Sequence, residues 1–262
     1  MKIRIKFRKW GAMKFIGHLD MMRYFQKAMR RAQIDIRYSE GFSPHQIMSF
    51  AAPLGVGITS DGEYLDIEVN ASMSSEEAVA ALNAVMVEGV EVVSYVRLPD
   101  TAKPAMSVVA AADYRISCKD SPYTVPQWQE IIAREFHDRK EFIIQKKSKK
   151  SERELDLKPL VYAFSAYGQE DRVCFFLSVS TGSTDNIKPE LVLSSLCERC
   201  GLSAPAGGMQ IHRTEVYARD EAGRLIPLEA MGERLPEAVP DTADNAGNGA
   251  FMQDRGGTCG AL

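Results

Sequence analysis

The sequence of 262 residues is long enough for one large domain or two small ones, and 45% of it is hydrophobic, as in ordinary globular proteins. No apolar run approaches the roughly 20 residues of a membrane-spanning helix, and the basic start MKIRIKFRKW lacks the apolar segment of a secretory signal. Five cysteines without framework spacing favour a cytoplasmic protein with reduced thiols.

The net charge of −3 conceals a strong asymmetry along the chain. Residues 1–46 hold eleven Lys or Arg against three acids, a net +8, so the remaining 216 residues carry −11. Such a split indicates that one end of the protein meets an anion, most often nucleic acid or a phosphate. The alternative is a basic face that the protein's own acidic surface neutralises.

Residues 1–98 are predicted to form the element order β-α-β-β-α-β. The first strand alternates, with Ile3, Ile5 and Phe7 toward a core, and GHLDMMRYFQKAMRRA then has the periodicity of a half-basic amphipathic helix. Strands at QIMSFAA and YLDIEV, a helix at SSEEAVAALNAVMV and a strand at VEVVSYV follow. This order is typical of a split βαβ, or ferredoxin-like, unit.

The second half repeats this pattern. Two prolines in RLPDTAKPAMSVVAAA predict a linker over residues 99–112. Over 113–220, strand patterns occur at DYRISCK, RELDLKPLVYAFSA, RVCFFLSVS and IHRTEVYA, and helical patterns at TVPQWQEIIAREF and NIKPELVLSSLCERC. We therefore expect an α+β fold of two ferredoxin-like units in tandem. The Gly-, Ala- and Asp-rich residues 233–262 predict a disordered tail.

The first strand carries a candidate phosphate-binding surface. In a ferredoxin-like sheet the helices cover one face, so the four basic side chains of this strand should project from the open face and could contact phosphates. Asp66 and Glu68 on the neighbouring strand could pair with them across the sheet, but two acids cannot neutralise four bases. The four basic residues are Lys2, Arg4, Lys6 and Arg8.

The stretch YSEGFSPH, which ends at His45, is a second candidate site beside the basic helix. Gly41 and Pro44 restrict its backbone, so we expect a shaped loop. Tyr38 and Phe42 could stack on bases, and His45 could titrate near neutral pH. The alternative is a packed connection in which Phe42 plugs a core edge. Phosphate contacts from the neighbouring helix are predicted at Arg23, Arg30 and Arg31.

His18 begins the basic helix, where the helix dipole favours a neutral imidazole and bound anions. It could act as a base or donate a hydrogen bond to a phosphate, although a purely structural histidine has the same sequence signature. We expect His18 and His45 to approach one another across a shallow basic pocket, with Asp20 and Arg23 at its rim.

Neither a metal nor a cofactor is predicted. Cys197 and Cys200 form a lone CxxC on an apolar helix face, and zinc would need two further ligands, of which only His212 is near in sequence. Buried reduced thiols are therefore expected. The lysine-rich run QKKSKKSERE predicts a solvated turn or a nucleic-acid contact. The sequence contains no P-loop, GxGxxG, HExxH or GxSxG motif.

One long motif resembles a known family. The stretch from FRKWGAMKFIGHLD to YSEGFSPH resembles the radical SAM-linked family, a bacterial domain of unknown function with H-L-D near its start followed by Y-S-x-G-F-(N/S)-P-H. The resemblance extends from residue 1 to about residue 220. The motif positions are His18, Leu19, Asp20, Tyr38, Ser39, Gly41, Phe42, Pro44 and His45.

The resemblance implies a partner but assigns no reaction. Members of that family are similar to domains found alone or fused to a radical SAM protein, often encoded near a ribonuclease, which implies an RNA setting. The sequence therefore favours an RNA-binding module that works with a separate radical SAM enzyme. One alternative is a metal-free RNA endonuclease with His18 and His45, or one of them with Tyr38, as acid and base. Another is a protein–protein scaffold for the radical SAM partner.

Overall fold

The computed structural model describes residues 1–147, 152–182 and 185–237. Within these ranges the chain forms twelve strands and five α-helices. The strands are β1 (Lys2–Lys9), β2 (Met48–Phe50), β3 (Thr59–Glu68), β4 (Val90–Leu98), β5 (Val109–Asp120), β6 (Ile143–Lys147), β7 (Glu152–Asp156), β8 (Val161–Gln169), β9 (Arg172–Ser180), β10 (Ala206–Arg219), β11 (Leu225–Pro227) and β12 (Glu233–Arg234). The α-helices are α1 (His18–Arg31), α2 (Ser75–Asn83), α3 (Ala105–Val108), α4 (Val125–Ile132) and α5 (Pro189–Cys200). None of these described helices has both the length and the apolar content needed to span a membrane.

The first half of the chain folds around β1. Ile3, Ile5 and Phe7 alternate along this strand and are at most 2% exposed, as the sequence pattern predicts. They pack in one buried cluster with Phe25 and Met29 on the apolar face of α1. Strand β1 lies between β3 and β4, and β2 pairs with β3, all antiparallel. The strand order of this half is therefore β4-β1-β3-β2.

The second half repeats that arrangement. Strand β5 lies between β10 and β9, and β8 pairs with the outer edge of β9, so the order is β10-β5-β9-β8 with antiparallel pairing. Trp128 of α4 and Leu196 of α5 share a buried cluster with Ile116 and Phe175 of the sheet. Strand β11 extends the sheet beside β10, while β6 and β7 form a separate hairpin.

The two halves join at a seam along one edge of β3. Residues 65–67 of β3 pair with β2, and residues 59–60 pair in parallel with His212 and Arg213 of β10. One ten-stranded sheet results, in the order β12-β4-β1-β3-β10-β5-β9-β8 with β2 and β11 off this path. The structure thus confirms a mixed α and β fold, with one large, mostly antiparallel sheet. The sheet is continuous across the seam, so it does not divide into two separate units. The fold of two ferredoxin-like units in tandem therefore stays a prediction.

The predicted linker over residues 99–112 is partly regular structure. It contains α3 and the start of β5. Ala105, the first residue of α3, is fully buried and donates its backbone N–H to Asp66 Oδ2 of β3 at 2.7 Å. The prolines of this segment mark turns, but its alanines and valines pack on the sheet. The division of the chain into domains at 1–98 and 113–220 stays a prediction.

Regular structure continues past residue 233, where the sequence predicts that a disordered tail begins. Strand β12 pairs with β4, and Leu235 N–H donates to Ser75 Oγ at 2.8 Å. In return, Ser75 N–H donates to Leu235 O at 3.1 Å. These bonds tie the end of β12 to the start of α2, so the predicted boundary is too early. The rest of the predicted tail, residues 238–262, lies outside the described residues.

Candidate nucleic-acid interface

The basic side chains of β1 do not form an open positive face. Arg4 is 0% exposed, and its Nε and Nη2 donate to the two carboxylate oxygens of Asp66 at 2.8 and 3.0 Å. Its Nη1 donates to Leu228 O at 3.2 Å, because the 3-10 helix Leu228–Met231 lies over this side of the sheet. The prediction that Arg4 projects from an open face is therefore wrong, and we propose no phosphate contact for it.

Lys6 and Arg8 are also paired with acids of this chain. The Lys6 ammonium donates to Glu215 at 2.7 Å and to Glu229 at 2.6 Å. Burial disfavours the charged amine, but these two partners outweigh burial and raise the pKa of Lys6. Arg8 is about half exposed and donates to Glu91 at 3.0 Å. The sequence prediction counted only the acids of the neighbouring strand, Asp66 and Glu68. It therefore overestimated the positive charge left on β1, because Glu215 and Glu229 come from much later in the chain.

The outer side of α1 keeps its positive charge. Four basic side chains of this helix are exposed, and three of them follow an i, i+4, i+7 spacing that places them on one face. Arg23 pairs with Asp20 at 3.1 Å, but both side chains are mostly exposed, so water screens this pair. Among the described residues, no carboxylate forms an ion pair with Lys27, Arg30 or Arg31. The four residues are Arg23, Lys27, Arg30 and Arg31.

The loop that precedes β2 is closed by its own hydrogen bonds. Ser39 N–H donates to His45 O at 2.8 Å, and His45 N–H donates to Ser39 Oγ at 3.1 Å. The Ser39 hydroxyl also lies 2.8 Å from His45 Nδ1. Gly41 has a φ of +110°, which glycine adopts without the strain that a side chain would bring, so the chain can turn back there. The loop is therefore shaped, as its sequence predicts.

Phe42 lies on this loop with its side chain fully exposed, so the alternative in which it plugs a core edge is wrong. Tyr38 is half exposed, and its hydroxyl accepts a hydrogen bond from Gln46 Nε2 at 3.3 Å. The same amide donates to Gln26 O at 3.3 Å, which attaches the loop to the middle of α1 and not to its start. We call the exposed basic face of α1 and this loop the helix–loop surface. Its residues are Arg23, Lys27, Arg30, Arg31, Tyr38, Phe42 and His45.

His18 and His45 do not share a pocket. The His18 ring packs edge to face on Phe50, with ring centroids 5.2 Å apart, and lines a small cavity with Lys9 and Glu63. His45 does not line that cavity and instead bonds within the exposed loop. The predicted basic pocket between the two histidines is thus not found in the described part of the chain. An acid–base pair of these histidines has no geometric support.

Three charged side chains that the sequence patterns did not single out are buried near the seam. Lys9, Glu63 and Arg213 are each at most 3% exposed. The Arg213 guanidinium pairs with both oxygens of Glu63 and donates to Ala52 O at 2.6 Å. Lys9 Nζ donates to Ile16 O at 2.6 Å, and burial lowers the pKa of Lys9. Continuing the inward alternation of β1 by one more step would have identified Lys9.

A second unpredicted cluster lies at the seam on the face that carries no helices. His212 Nδ1 lies 2.8 Å from Thr59 Oγ1, and its Nε2 lies 2.9 Å from Asp61 Oδ2. These side chains line a pocket of about 370 Å³ together with Arg115 and Arg172. Because α5 packs on the opposite face, His212 is not placed to bind a metal with the α5 cysteines. Its partners come from β3, which the sequence does not mark as a neighbour of β10.

The α5 cysteines are protected to different degrees. Cys197 is buried, as predicted, and burial raises its pKa to about 11. Cys200 is only partly buried. Within the described ranges, no group of three or more His, Cys, Asp or Glu is arranged to hold a metal ion, and the expectation of a metal-free protein stays a prediction. The lysine-rich run lies partly in β6 and β7, and its residues 148–151 lie outside the described residues.

Comparison with known proteins gives a family match. A model of the family described as "Uncharacterized protein conserved in bacteria (DUF2344)" matches residues 2–189. No curated protein matches the chain. Chains of solved structures are similar to this one, among them one from a structure titled "Crystal Structure of a Cbf5-Nop10-Gar1 Complex". That match has 13% identity and a TM-score of 0.46, over 84% of this chain and 50% of that chain, so this chain spans about half of the matched chain's length.

Proposed function

This chain belongs to the bacterial family DUF2344, and from that premise we propose that it is an RNA-binding module which works with a separate radical SAM enzyme in RNA modification or processing. The observation that carries the proposal is the helix–loop surface, where an exposed basic helix face lies beside a hydrogen-bonded loop with a fully exposed Phe42. We interpret the fold as two ferredoxin-like units in tandem that share one sheet. We expect the protein to act in the cytoplasm.

The charges of α1 suit a phosphate backbone. Lys27, Arg30 and Arg31 are exposed on a helix whose apolar face is anchored in the core, so their spacing is fixed. Arg30 and Arg31 lie in the last turn, where the helix dipole favours cations. Each phosphate that such side chains neutralise releases condensed counterions, which favours binding and makes it depend on salt.

Phe42 suits a base-stacking role. Its fully exposed ring contributes little to the core, and covering the ring with a base would remove its apolar surface from water. Stacking of a base on an aromatic side chain contributes about 1–3 kcal/mol. The hydrogen bonds between Ser39 and His45 hold the loop before any ligand binds, so little ordering entropy is lost on binding.

The radical SAM partner rests on the motif resemblance over residues 18–20 and 38–45, which lie in or beside the helix–loop surface. Affinity purification of the tagged chain from its own cells, with and without ribonuclease, tests this part. A radical SAM protein retained after ribonuclease treatment would support direct contact, and its absence from both samples would remove it from the proposal. The endonuclease alternative with His18 and His45 as the acid–base pair receives no support, since the two histidines lie in different surroundings.

Ultraviolet crosslinking in cells, followed by mass spectrometry of the protein, tests the RNA part. We expect crosslinked nucleotides on the peptide that contains Tyr38 and Phe42, because rings stacked on bases are close to them. Phe42→Leu keeps an apolar side chain without the ring and should reduce this crosslink. Tyr162→Leu removes an exposed ring of β8 and should leave the crosslink unchanged. Crosslinks confined to other surfaces would contradict the proposal.

A further inference from the structure

The pocket beside His212 is built from two neighbouring rows of the sheet at the seam. Strand register places Thr59, His212 and Arg115 in one row, on β3, β10 and β5. Arg115 lies between the buried residues Tyr114 and Ile116, so strand alternation turns this row toward the face that carries no helices. The next row crosses β10, β5 and β8 and contributes Gln210, Ser117 and Tyr167.

The histidine of this pocket forms its hydrogen bonds within the wall. An ionised carboxylate only accepts hydrogen bonds, so His212 Nε2–H donates to Asp61 Oδ2 at 2.9 Å. Nδ1 of the neutral ring then accepts from the Thr59 hydroxyl at 2.8 Å. Arg8 Nε lies 3.8 Å from the other oxygen of Asp61, and this cation offsets the charge of the carboxylate. The three bonded side chains therefore leave the arginines of the pocket to another partner.

Two guanidinium groups of the pocket form no hydrogen bond with a carboxylate of the described residues. The carboxylate nearest to Arg115 is that of Asp61, and their separation of 3.9 Å is too long for a hydrogen bond. Arg172 donates to the neutral amide of Gln210 at 3.2 Å. A guanidinium has five N–H donors, so most donors of Arg115 and Arg172 are open to a ligand. Glu170 lies exposed at the rim and forms no ion pair within the described ranges.

A phosphate group has the charge and the acceptors that these donors lack. Its oxygens accept several hydrogen bonds at once, and two of them match the paired N–H groups of a guanidinium. The Ser117 and Tyr167 hydroxyls line the same pocket and can donate to the remaining oxygens. A carboxylate ligand offers two oxygens and one charge, so it suits two guanidiniums less well. The volume of about 370 Å³ leaves room for an organic group that carries the phosphate.

We propose that the pocket beside His212 binds a phosphate group. The pocket lies on the opposite face of the sheet from α1. It is also at the start of β3, whereas β2 and the loop before it meet β3 at residues 65–67. The proposal is therefore independent of the helix–loop surface and adds a second site to the chain. The phosphate belongs to a small phosphorylated molecule or to an RNA strand on the open face, and both present the same oxygens to Arg115 and Arg172.

Backbone amide NMR of the full chain, titrated with glycerol phosphate, tests the proposal. We expect saturable chemical-shift changes in the two pocket rows at millimolar concentration, and none with glycerol, which lacks the phosphate. Arg115→Gln and Arg172→Gln should each weaken binding about tenfold or more, because each removes a charge-assisted hydrogen bond. Glu170→Gln removes the acid at the rim and should tighten binding about twofold. Arg224→Gln, at an exposed arginine before β11, is the matched control and should bind as the native chain does.

The absence of shifts, equal shifts with glycerol, or native affinity in both arginine variants would overturn the proposal. Acetate that binds as tightly as glycerol phosphate would also reject it, since the pocket would then accept any anion. Oligouridine added to the glycerol phosphate complex distinguishes the sources of the phosphate. Displacement of glycerol phosphate would assign the pocket to RNA phosphates, and simultaneous binding would assign it to a small phosphorylated molecule. Glycerol phosphate binding without any oligouridine binding would support the pocket and count against the RNA module.

Discussion

Replacing Arg4 by Ala separates the two roles that its charge could serve. Arg4 is fully buried, and both oxygens of Asp66 accept from it, at 2.8 and 3.0 Å. The substitution leaves the Asp66 carboxylate, which is 15% exposed, without its cation. Breaking such a buried pair costs about 3–5 kcal/mol. At roughly 2–4 °C per kcal/mol for a chain of this size, Tm should fall by about 6–20 °C.

Arg8→Ala is the matched control for this experiment. The Arg8 side chain is 45% exposed and pairs with Glu91 at 3.0 Å, so its loss should cost about 0–1 kcal/mol. Urea denaturation followed by circular dichroism measures both losses, and fluorescence anisotropy measures RNA binding per folded molecule. We expect Arg4→Ala to lose stability and keep native RNA affinity. If Arg4→Ala were as stable as Arg8→Ala and bound RNA weakly, Arg4 would belong to the interface and not to the core.

Three further measurements address single side chains. Phe42→Ala should weaken RNA binding by about 1–3 kcal/mol and change stability by less than about 0.5 kcal/mol, because the ring is fully exposed; native affinity would count against stacking. The pKa of Lys9 is lowered in the folded state, so the unfolded chain binds more protons between that pKa and the usual 10.5. The unfolding free energy contributed by Lys9 should therefore rise with pH across this window, and pH titrations of stability should show no such rise in Lys9→Met. Cys197, buried with a pKa of about 11, should resist alkylation at neutral pH until the chain unfolds, and rapid labelling of the folded chain would contradict its burial.

Local patterns in the sequence identified much of the secondary structure. The alternation of Ile3, Ile5 and Phe7 predicts β1 and its buried face correctly. The serine before α2 and the glutamates in its first turn predict its start, where Ser74 and Glu77 form reciprocal capping bonds. These features depend on residues that are close along the chain, so a sequence pattern can carry them. The turn residues of the loop at Tyr38–His45 likewise predict that it is shaped. They do not predict its attachment to the middle of α1, which depends on a contact with Gln26.

Local sequence patterns could not predict pairings between residues that are distant along the chain. Lys6 meets Glu215 and Glu229, which lie 209 and 223 positions further along the chain. No periodicity selects β10 as the neighbour of β3, and the parallel pairing at Thr59 and His212 involves only two residues of each strand. The sequence therefore predicts an open basic face on β1, which the second half of the chain covers. It also contains no indication of the pocket beside His212, because the strands that line this pocket meet only across the seam.

The salt dependence of RNA binding tests whether the helix–loop surface binds the phosphate backbone. The slope of log K against log salt concentration is compared for the native chain, for a variant with Lys27, Arg30 and Arg31 replaced by Ser, and for a control with the same loss of charge at exposed lysines elsewhere. The control replacements are Lys103→Ser, Lys119→Ser and Lys140→Ser. We predict that the α1 variant lowers the slope by roughly two to three and that the control keeps the native slope. A native slope in the α1 variant, or an equal loss in both variants, would contradict phosphate binding by this surface.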